Sequence, residues 1–425
     1  MGCRMRIIHI EMKKLYPFAA IFLCTVFFCS CKNTSDRNSD NFLSRRAMGM
    51  PKHVAELSSD GFLTDTIDIY GNISDNMPVS HLISDIRYLR LEKTLSSVFS
   101  TIKDIKCNSR YLFVFDRDSR LKQFDINTGK YISNVFSRGE GPEEVVNPSC
   151  FDVDENYVYI LDGRRACILV YDMSGDFVRR MDVPFRADHF RRRDDGTYVF
   201  KLSPFNESYP SLDNYTVVVT DSAFIPKSKY LYKDTKDVSV RIDRTPFFSP
   251  SGNYFGFTAI YGNTYYGLTA DGIYRPMYFF YLGDKTVPEY LLEESDKNFI
   301  DFIRENDKAA VLYAPTIEGR KHLIFRIDLA YYKNKGVFVY SKDGKEGVLI
   351  KSFDIDRRDM LFMPQIMAYN SITGEFVGVQ NLLATENLPT EEAKALKEHL
   401  GAELYSKLTG SDTSDIVISF VRFKS

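Results

Sequence analysis

Short apolar runs bounded by turn residues recur at a fixed interval along residues 112–178. Leu112-Phe-Val-Phe-Asp116, Gln123-Phe-Asp125 and Gly129-Lys-Tyr-Ile132 are followed by Val158-Tyr-Ile-Leu-Asp162, Val170-Tyr-Asp172 and Gly175-Asp-Phe-Val178. Corresponding positions differ by 46 (162 − 116), 47 (172 − 125) and 46 (175 − 129) residues. A repeat of that length with three or four short strands predicts a propeller blade, because one such sheet cannot bury both its faces and must stack against neighbours around an axis. The apolar run ending in Asp predicts a buried strand whose terminal carboxylate accepts backbone N–H groups in the turn. Aromatic-Asp followed by Gly predicts a hairpin exit in which glycine takes a positive φ without steric cost.

Weaker copies follow. Tyr198-Val-Phe200 with Val217–Asp221 forms a third unit, Tyr254–Phe257 with Gly267–Gly272 a fourth, and Val337–Tyr340 with Lys342-Asp343-Gly344 a fifth. The Asp positions now step by 49 (221 − 172), 50 (271 − 221) and 72 (343 − 271) residues. The long step holds Leu291, Leu292, Phe299, Phe302 and Ile303 at helical spacing among charged residues, which predicts a helical insertion at about 288–312. A sixth blade is assembled from residues 363–379 and Ile416–Phe423, with a second helix at about 390–408 between them. The segment Ile83–Leu91 reads as a strand with no blade of its own, so it is predicted to complete the last blade; an unclosed ring would leave an exposed edge. The fold class is therefore all-β, a six-bladed β-propeller of four-stranded blades closed through the chain termini, with five or seven blades as the alternatives.

The N-terminus is different in kind. Lys13-Lys14 precede an almost uncharged run from Leu15 to Ser30, shorter than the ~20 residues a spanning helix needs and flanked like a secretory signal. Phe28-Cys29-Ser30-Cys31 followed by polar Lys32–Asp36 resembles a bacterial lipobox, which makes residues 1–30 a signal peptide and Cys31 the lipidated first residue. A plain cleaved signal or an uncleaved anchor is the alternative, and Met12 an alternative start. Residues 31–65, rich in Ser, Asp, Asn and Arg, read as a flexible tether, and 66–425 as the propeller.

Composition narrows the function classes. The 425 residues carry 55 Lys+Arg and 57 Asp+Glu, and removal of the signal takes four bases and one acid, leaving 51 against 56, a net −5. Nothing in that balance suits nucleic acid. Of seven cysteines, three leave with the signal and Cys31 takes lipid; Cys107, Cys150 and Cys167 remain without metal-type spacing, and one disulfide among them is the alternative to Cys107 and Cys150 being buried free thiols in apolar strand-like runs.

Arg90-Leu-Glu92, Thr94-Leu-Ser-Ser97 and Ser137-Arg-Gly-Glu-Gly-Pro-Glu-Glu144 together resemble the six-bladed β-propeller lipoproteins of Bacteroidetes type, related in shape to NHL-repeat propellers. Gly139, Gly141, Pro142 and Glu144 match that family's Gly-x-Gly-Pro-Gly-Glu stretch, Glu143 replaces its Gly, and Ser414-Asp415 stands where Asn-Pro is expected. The resemblance spans residues 83–385 and is densest over 90–200. It implies an exported, lipid-anchored propeller on the outer membrane, facing the periplasm or the cell exterior.

Candidate chemistry sits at the loop 139–144, where amides and the carboxylates of Glu140 and Glu143 could meet a ligand beside a basic rim of Arg138, Arg164 and Arg165. The plainer reading has Gly and Pro fixing the crossing between blades and Glu144 capping loop amides. Arg191-Arg192-Arg193, the one dense basic run, suits recognition of an anionic sugar or carboxylate, and in the plainer reading is a solvated loop paired with Asp194 and Asp195. Asp152-Val-Asp-Glu-Asn156 resembles the start of a calcium loop, but Tyr157 replaces the turn Gly and Gly163 the twelfth-position Glu. No cofactor is predicted, with calcium the alternative. The five mature histidines show no HExxH spacing, and no Gly-x-Ser-x-Gly elbow occurs. The sequence thus reads as an envelope binding or interaction module, its ligand a glycan or an envelope protein. The alternative is a glycoside or lactone hydrolase or lyase using axial carboxylates with or without a metal.

Overall fold

The computed structural model describes residues 42–56, 65–69, 71, 79–203, 206–232, 249–251, 254–258, 263–269, 274–283, 301–302, 305, 310–329, 334–350, 363–380, 391, 394, 397–398, 402, 405–406 and 416–424. They form six antiparallel blades in a ring. Blade one holds strands Ile102–Cys107, Tyr111–Asp116, Leu121–Asp125 and Tyr131–Asn134, and blade two holds Pro148–Val153, Tyr157–Asp162, Cys167–Asp172 and Phe177–Asp182. Blade three runs through Ala187–Arg192, Tyr198–Leu202, Tyr215–Thr220 and Pro226–Tyr232. Blade four runs through Ser249–Ser251, Tyr254–Thr258, Thr264–Thr269 and Tyr274–Tyr281. Blade five comprises Ala310–Glu318, His322–Leu329, Asn334–Ser341 and Glu346–Ile350, and blade six Gln365–Asn370, Glu375–Gln380, Val417–Phe423 and Ile83–Arg90. Within each blade the chain runs up and down, so the inter-blade connections share one face of the ring with the turns between second and third strands. We call this the loop face.

Strands whose two faces are both apolar need cover on both sides, and the ring supplies it. Phe113 and Phe115 of blade one pack with Phe151 and Ile160 of blade two. Equivalent cores lie between blades two and three around Phe190 and Phe200, three and four around Val217 and Phe257, four and five around Tyr265 and Phe325, and five and six around Ile324 and Phe376. The sixth core joins Val377 and Phe420 of blade six to Leu112 and Phe124 of blade one, closing the circle.

Closure follows the predicted route. Ile83–Arg90 pairs antiparallel with Val417–Phe423, with Leu89 opposite Ile418 and Tyr88 opposite Ser419. At the seam Gly129, at φ +72°, comes so close to Arg90 that a Cβ would lie 2.2 Å from its carbonyl oxygen. The Asp-ended strands also behave as their chemistry requires. Asp125 Oδ1 accepts the amides of Asn127 and Thr128, and Asp172 Oδ1 those of Ser174 and Asp176. These bonds favour the ionised carboxylates and hold both below the ordinary carboxylate pKa.

Two features depart from the sequence reading. Part of the segment read as a flexible tether is docked: residues 42–47 are helical with Leu43 buried, and Ala55–Glu56 adds a parallel strand beside Ser228 and Lys229 on blade three. Asp65–Asp68 does the same beside Tyr278–Tyr281 of blade four. Backbone pairing at a blade edge is indifferent to the polar side chains that made this stretch look like linker. The helical insertion at 288–312 falls mostly outside the described residues; 301, 302 and 305 are helical, whereas 310–312 already belong to the first strand of blade five. Of the second insertion, 390–408, residues 391, 394, 397, 398, 402, 405 and 406 are described, and they are helical.

One buried base links the fold to pH. His322 lies against Phe376 and Phe423 of blade six, and its Nε2–H donates to the Lys424 carbonyl at 2.9 Å. Burial lowers its pKa below the ordinary 6.5, more than the bond to Lys424 raises it. The unfolded chain therefore takes up this proton more readily than the folded one. Its contribution to stability is present above pH 6.5 and is lost as pH falls toward the lower folded value. Urea midpoints taken from pH 7.5 down to 5.5 should decline, and His322→Gln should flatten that region of the curve.

Candidate functional site

The connection from blade one to blade two, residues 137–146, forms a compact platform on the loop face. The Val145 amide donates to Ser137 O and the Gly139 amide to Val145 O, which folds the loop on itself. Glu144 turns inward, its Oε2 accepting the Gly141 amide at 2.9 Å. At Gly139 a Cβ would fall 1.9 Å from that carboxylate, so the glycine is required by the cap. The Asp that ends the second strand of blade two supports the loop from below. Buried Asp162 accepts Val146 N at 2.8 Å and the amides of Arg164 and Arg165 at 3.1 Å. Asp116 has the same role in the preceding blade, accepting the amides of Ser100 and Arg120.

The five residues singled out in the sequence are brought together here, in two roles. Arg165 is spent on the loop itself: its guanidinium donates to the carbonyls of Gly139, Gly141 and Glu144 at 3.0–3.1 Å. Arg138 donates to the carbonyls of Asp118 and Val146 at 3.3 Å but stays exposed. Glu143 is fixed through its backbone, whose carbonyl accepts the Tyr171 hydroxyl at 2.7 Å, and its carboxylate is exposed. Arg164 and Glu140 face each other at 4.0 Å with side chains 61% and 84% exposed. The platform thus offers Arg138, Arg164, Glu140 and Glu143 to solvent on a backbone held rigid by Arg165, Asp162 and Tyr171.

A second charged cluster lines the inner strands. Asp104 pairs with Lys106 on blade one, and the Lys106 ammonium sits 4.2 Å from the centre of the Phe151 ring on blade two. Asp152 of blade two accepts Arg191 Nη1 at 2.6 Å and the Arg192 amide at 2.9 Å, while Asp154 accepts Arg192 Nη1 at 3.0 Å and the Tyr159 hydroxyl at 2.8 Å. Burial works against the charge of Arg191, but Asp152 and Asp104 more than offset it and its pKa is raised. Each acid here has a base beside it. Among the described residues no three His, Cys, Asp or Glu side chains are grouped as a metal site.

The arginine run is therefore not a solvated loop. Arg191 and Arg192 end the inner strand of blade three and reach back to blade two, while Arg193 reaches forward to the Thr269 carbonyl of blade four at 2.8 Å, only its Nε approaching Asp195. Sequence separation hid these partners. The available signal was the alternation of charge inside an otherwise strand-like run, as in Lys103-Asp-Ile-Lys106.

Residues 64–412 match a family described as "Domain of unknown function (DUF4934)". The chain belongs to the DUF4934 family. No curated protein matches this DUF4934 chain. Among solved structures it is similar to a "Putative exported protein" of Bacteroides fragilis NCTC 9343, at 19% identity and TM-score 0.68, over 85% of this chain and 100% of that one. It also matches a member of the duf4221 family from Bacteroides vulgatus, at 10% identity and TM-score 0.47, over 81% and 98% of the two chains. A third match is regucalcin, a calcium-binding protein from Agrobacterium tumefaciens, at 11% identity and TM-score 0.38, over 85% and 97%. The first of these likenesses agrees with the fold of the DUF4934 chain.

The three cysteines among the described residues of this DUF4934 propeller are free thiols. Cys150 and Cys167 are buried and Cys107 half-buried. Burial pushes the Cys107 thiol up to about 12 and the other two to about 11, which keeps them protonated and unreactive at neutral pH.

Proposed function

We propose that this DUF4934 protein is an outer-membrane lipoprotein of the NHL-like propeller type, anchored through Cys31, whose loop face binds a polar ligand: an acidic or amino glycan, or an envelope protein. The observation that carries the reading is the rigid loop platform, with Arg138, Arg164, Glu140 and Glu143 exposed on a backbone that costs nothing further to order. Cations and carboxylates side by side suit a ligand bearing both charges, or carboxylates among hydroxyls. The apolar run Leu15–Ser30 before Cys31 supports export, as does the description of the similar Bacteroides fragilis protein.

The axial acids and bases support a second reading, a hydrolase or lyase acting at the ring's hub. A thermal-shift screen of the chain from Lys32 separates the two, using glycan acids, amino sugars, calcium and EDTA. A ligand at 100 times its Kd should stabilise the fold by about 2.7 kcal/mol. A shift from one glycan class that Arg164→Ala abolishes supports the loop-face reading. A calcium shift that EDTA reverses and Asp152→Asn removes supports the axial one. Silence across the panel points to a protein ligand, to be sought by cross-linking at Glu140.

A further inference from the structure

The docked N-terminal segment sets how far, and which way round, the ring can stand from a membrane. Residues 42–54 lie on the loop face over blades two and three. Arg46 Nη1 donates to the carbonyls of Ala166 and Val183 at 2.6 and 3.1 Å, and its guanidinium pairs with Asp182. The Tyr209 hydroxyl donates to Pro51 O at 2.8 Å, the Val54 amide to Ser211 Oγ at 3.2 Å, and Leu43 is buried. Had the chain been free to residue 65, the 34 steps from Cys31 (65 − 31) would span up to about 110–120 Å; docking at residue 42 leaves 11 steps (42 − 31), at most about 36–40 Å. The side of the segment turned to solvent carries Phe42, Arg45, Met48 and Lys52. With Arg46 taken up by Asp182, the two exposed bases of residues 42–56, Arg45 and Lys52, stand against one acid, Glu56, a local +1 in a chain of net −2.

We propose that the loop face is turned toward the lipid bilayer, with Phe42, Arg45, Met48 and Lys52 resting on anionic phospholipid headgroups. The inference rests on lipidation at Cys31 and adds the orientation. Short reach, an exit on that face, and apolar and basic side chains around the exit together match an anionic lipid surface. A partner that binds the platform 137–146 would then be met in the space between ring and membrane, and the opposite face would look away.

The test uses the full-length lipidated protein in phosphatidylethanolamine vesicles containing phosphatidylglycerol. Met48→Cys and Ile372→Cys place a polarity-sensitive dye on the docked segment and on a first-to-second-strand turn of blade six, on the opposite face; both native side chains are exposed, so folding is spared. The retained thiols at 107, 150 and 167 stay protonated and label slowly. The expected result is a blue-shifted emission at position 48, quenched by headgroup-located quenchers, with position 372 remaining aqueous. Vesicle-bound, acylated protein whose dye at 48 stays aqueous, or whose dye at 372 enters the bilayer, overturns the orientation alone. Absence of acyl mass on the mature N-terminus together with failure to float with vesicles overturns the anchor, and the orientation with it.

Discussion

Asp162→Ala is expected to destabilise the protein by about 3–5 kcal/mol and to loosen the loop platform at the same time. The carboxylate is buried and accepts three backbone amides, two from its own turn and one, Val146 N, from the connection that carries residues 137–146. Hydrogen bonds to an ionised acceptor contribute about 1.5–3 kcal/mol each and are not additive within one group. Alanine removes all three and takes the nearby counter-charge from Arg165, whose Nε lies 3.8 Å away. Urea denaturation measures the loss, and hydrogen exchange at Val146 and Gly141 reports the loop. Asp118→Ala is the control: that carboxylate is 61% exposed and pairs with Arg120 at the surface, so its loss should cost less than about 1 kcal/mol. Equal effects from the two variants would show that Asp162 does not hold the loop.

A comparable loss, about 3–5 kcal/mol, is expected from Glu318→Ala at the junction of blades four and five. The Glu318 carboxylate is fully buried at the end of the inner strand of blade five. It accepts the hydroxyls of Tyr254 and Tyr265 from blade four and pairs with Lys342 Nζ at 3.0 Å. Burial first, and then the negative charge of Glu318, raise the Tyr265 pKa well above its ordinary value, so the tyrosine stays a donor. Alanine leaves a buried hydroxyl and a largely buried ammonium without their acceptor. The double variant Glu318→Ala/Lys342→Met should therefore lose less than the sum of the single losses, because it removes the stranded charge as well. Strict additivity would mean that the two side chains do not form one unit.

These two carboxylates also mark the boundary of what could be read from residues alone. Asp162 stands at the end of Val158-Tyr-Ile-Leu, and both its neighbouring turn and its repeat partner Asp116 advertise its role. Nothing near Glu318 does so, because its donors come from positions 254, 265 and 342. The same distinction explains the arginine run. Asp194 and Asp195 were the nearest acids in sequence, whereas Arg191 and Arg192 found theirs on blade two. It explains the tether too, since Leu43, Arg46 and Val54 are isolated in a polar stretch and acquire meaning only against Ala166, Val183 and Ser211.

The order of residues by itself determined the blade, its repeat, the ring and its closing strand. Those depend on strand period, on turns that need Asp and Gly, and on apolar faces that must be covered, all of which are local or recur at one interval. It also brought forward the loop 137–146 as a place for chemistry. Tertiary structure alone decided which of those charges are spent and which are free. It buried Arg165 in loop carbonyls, left Arg164 and Glu140 exposed, neutralised Asp152 with an arginine from the next blade, and laid the N-terminal segment across the loop face. The physical reason is range. Backbone preference and hydrophobic period act within a few residues, whereas charges pair with whatever the folded ring brings within about 4 Å.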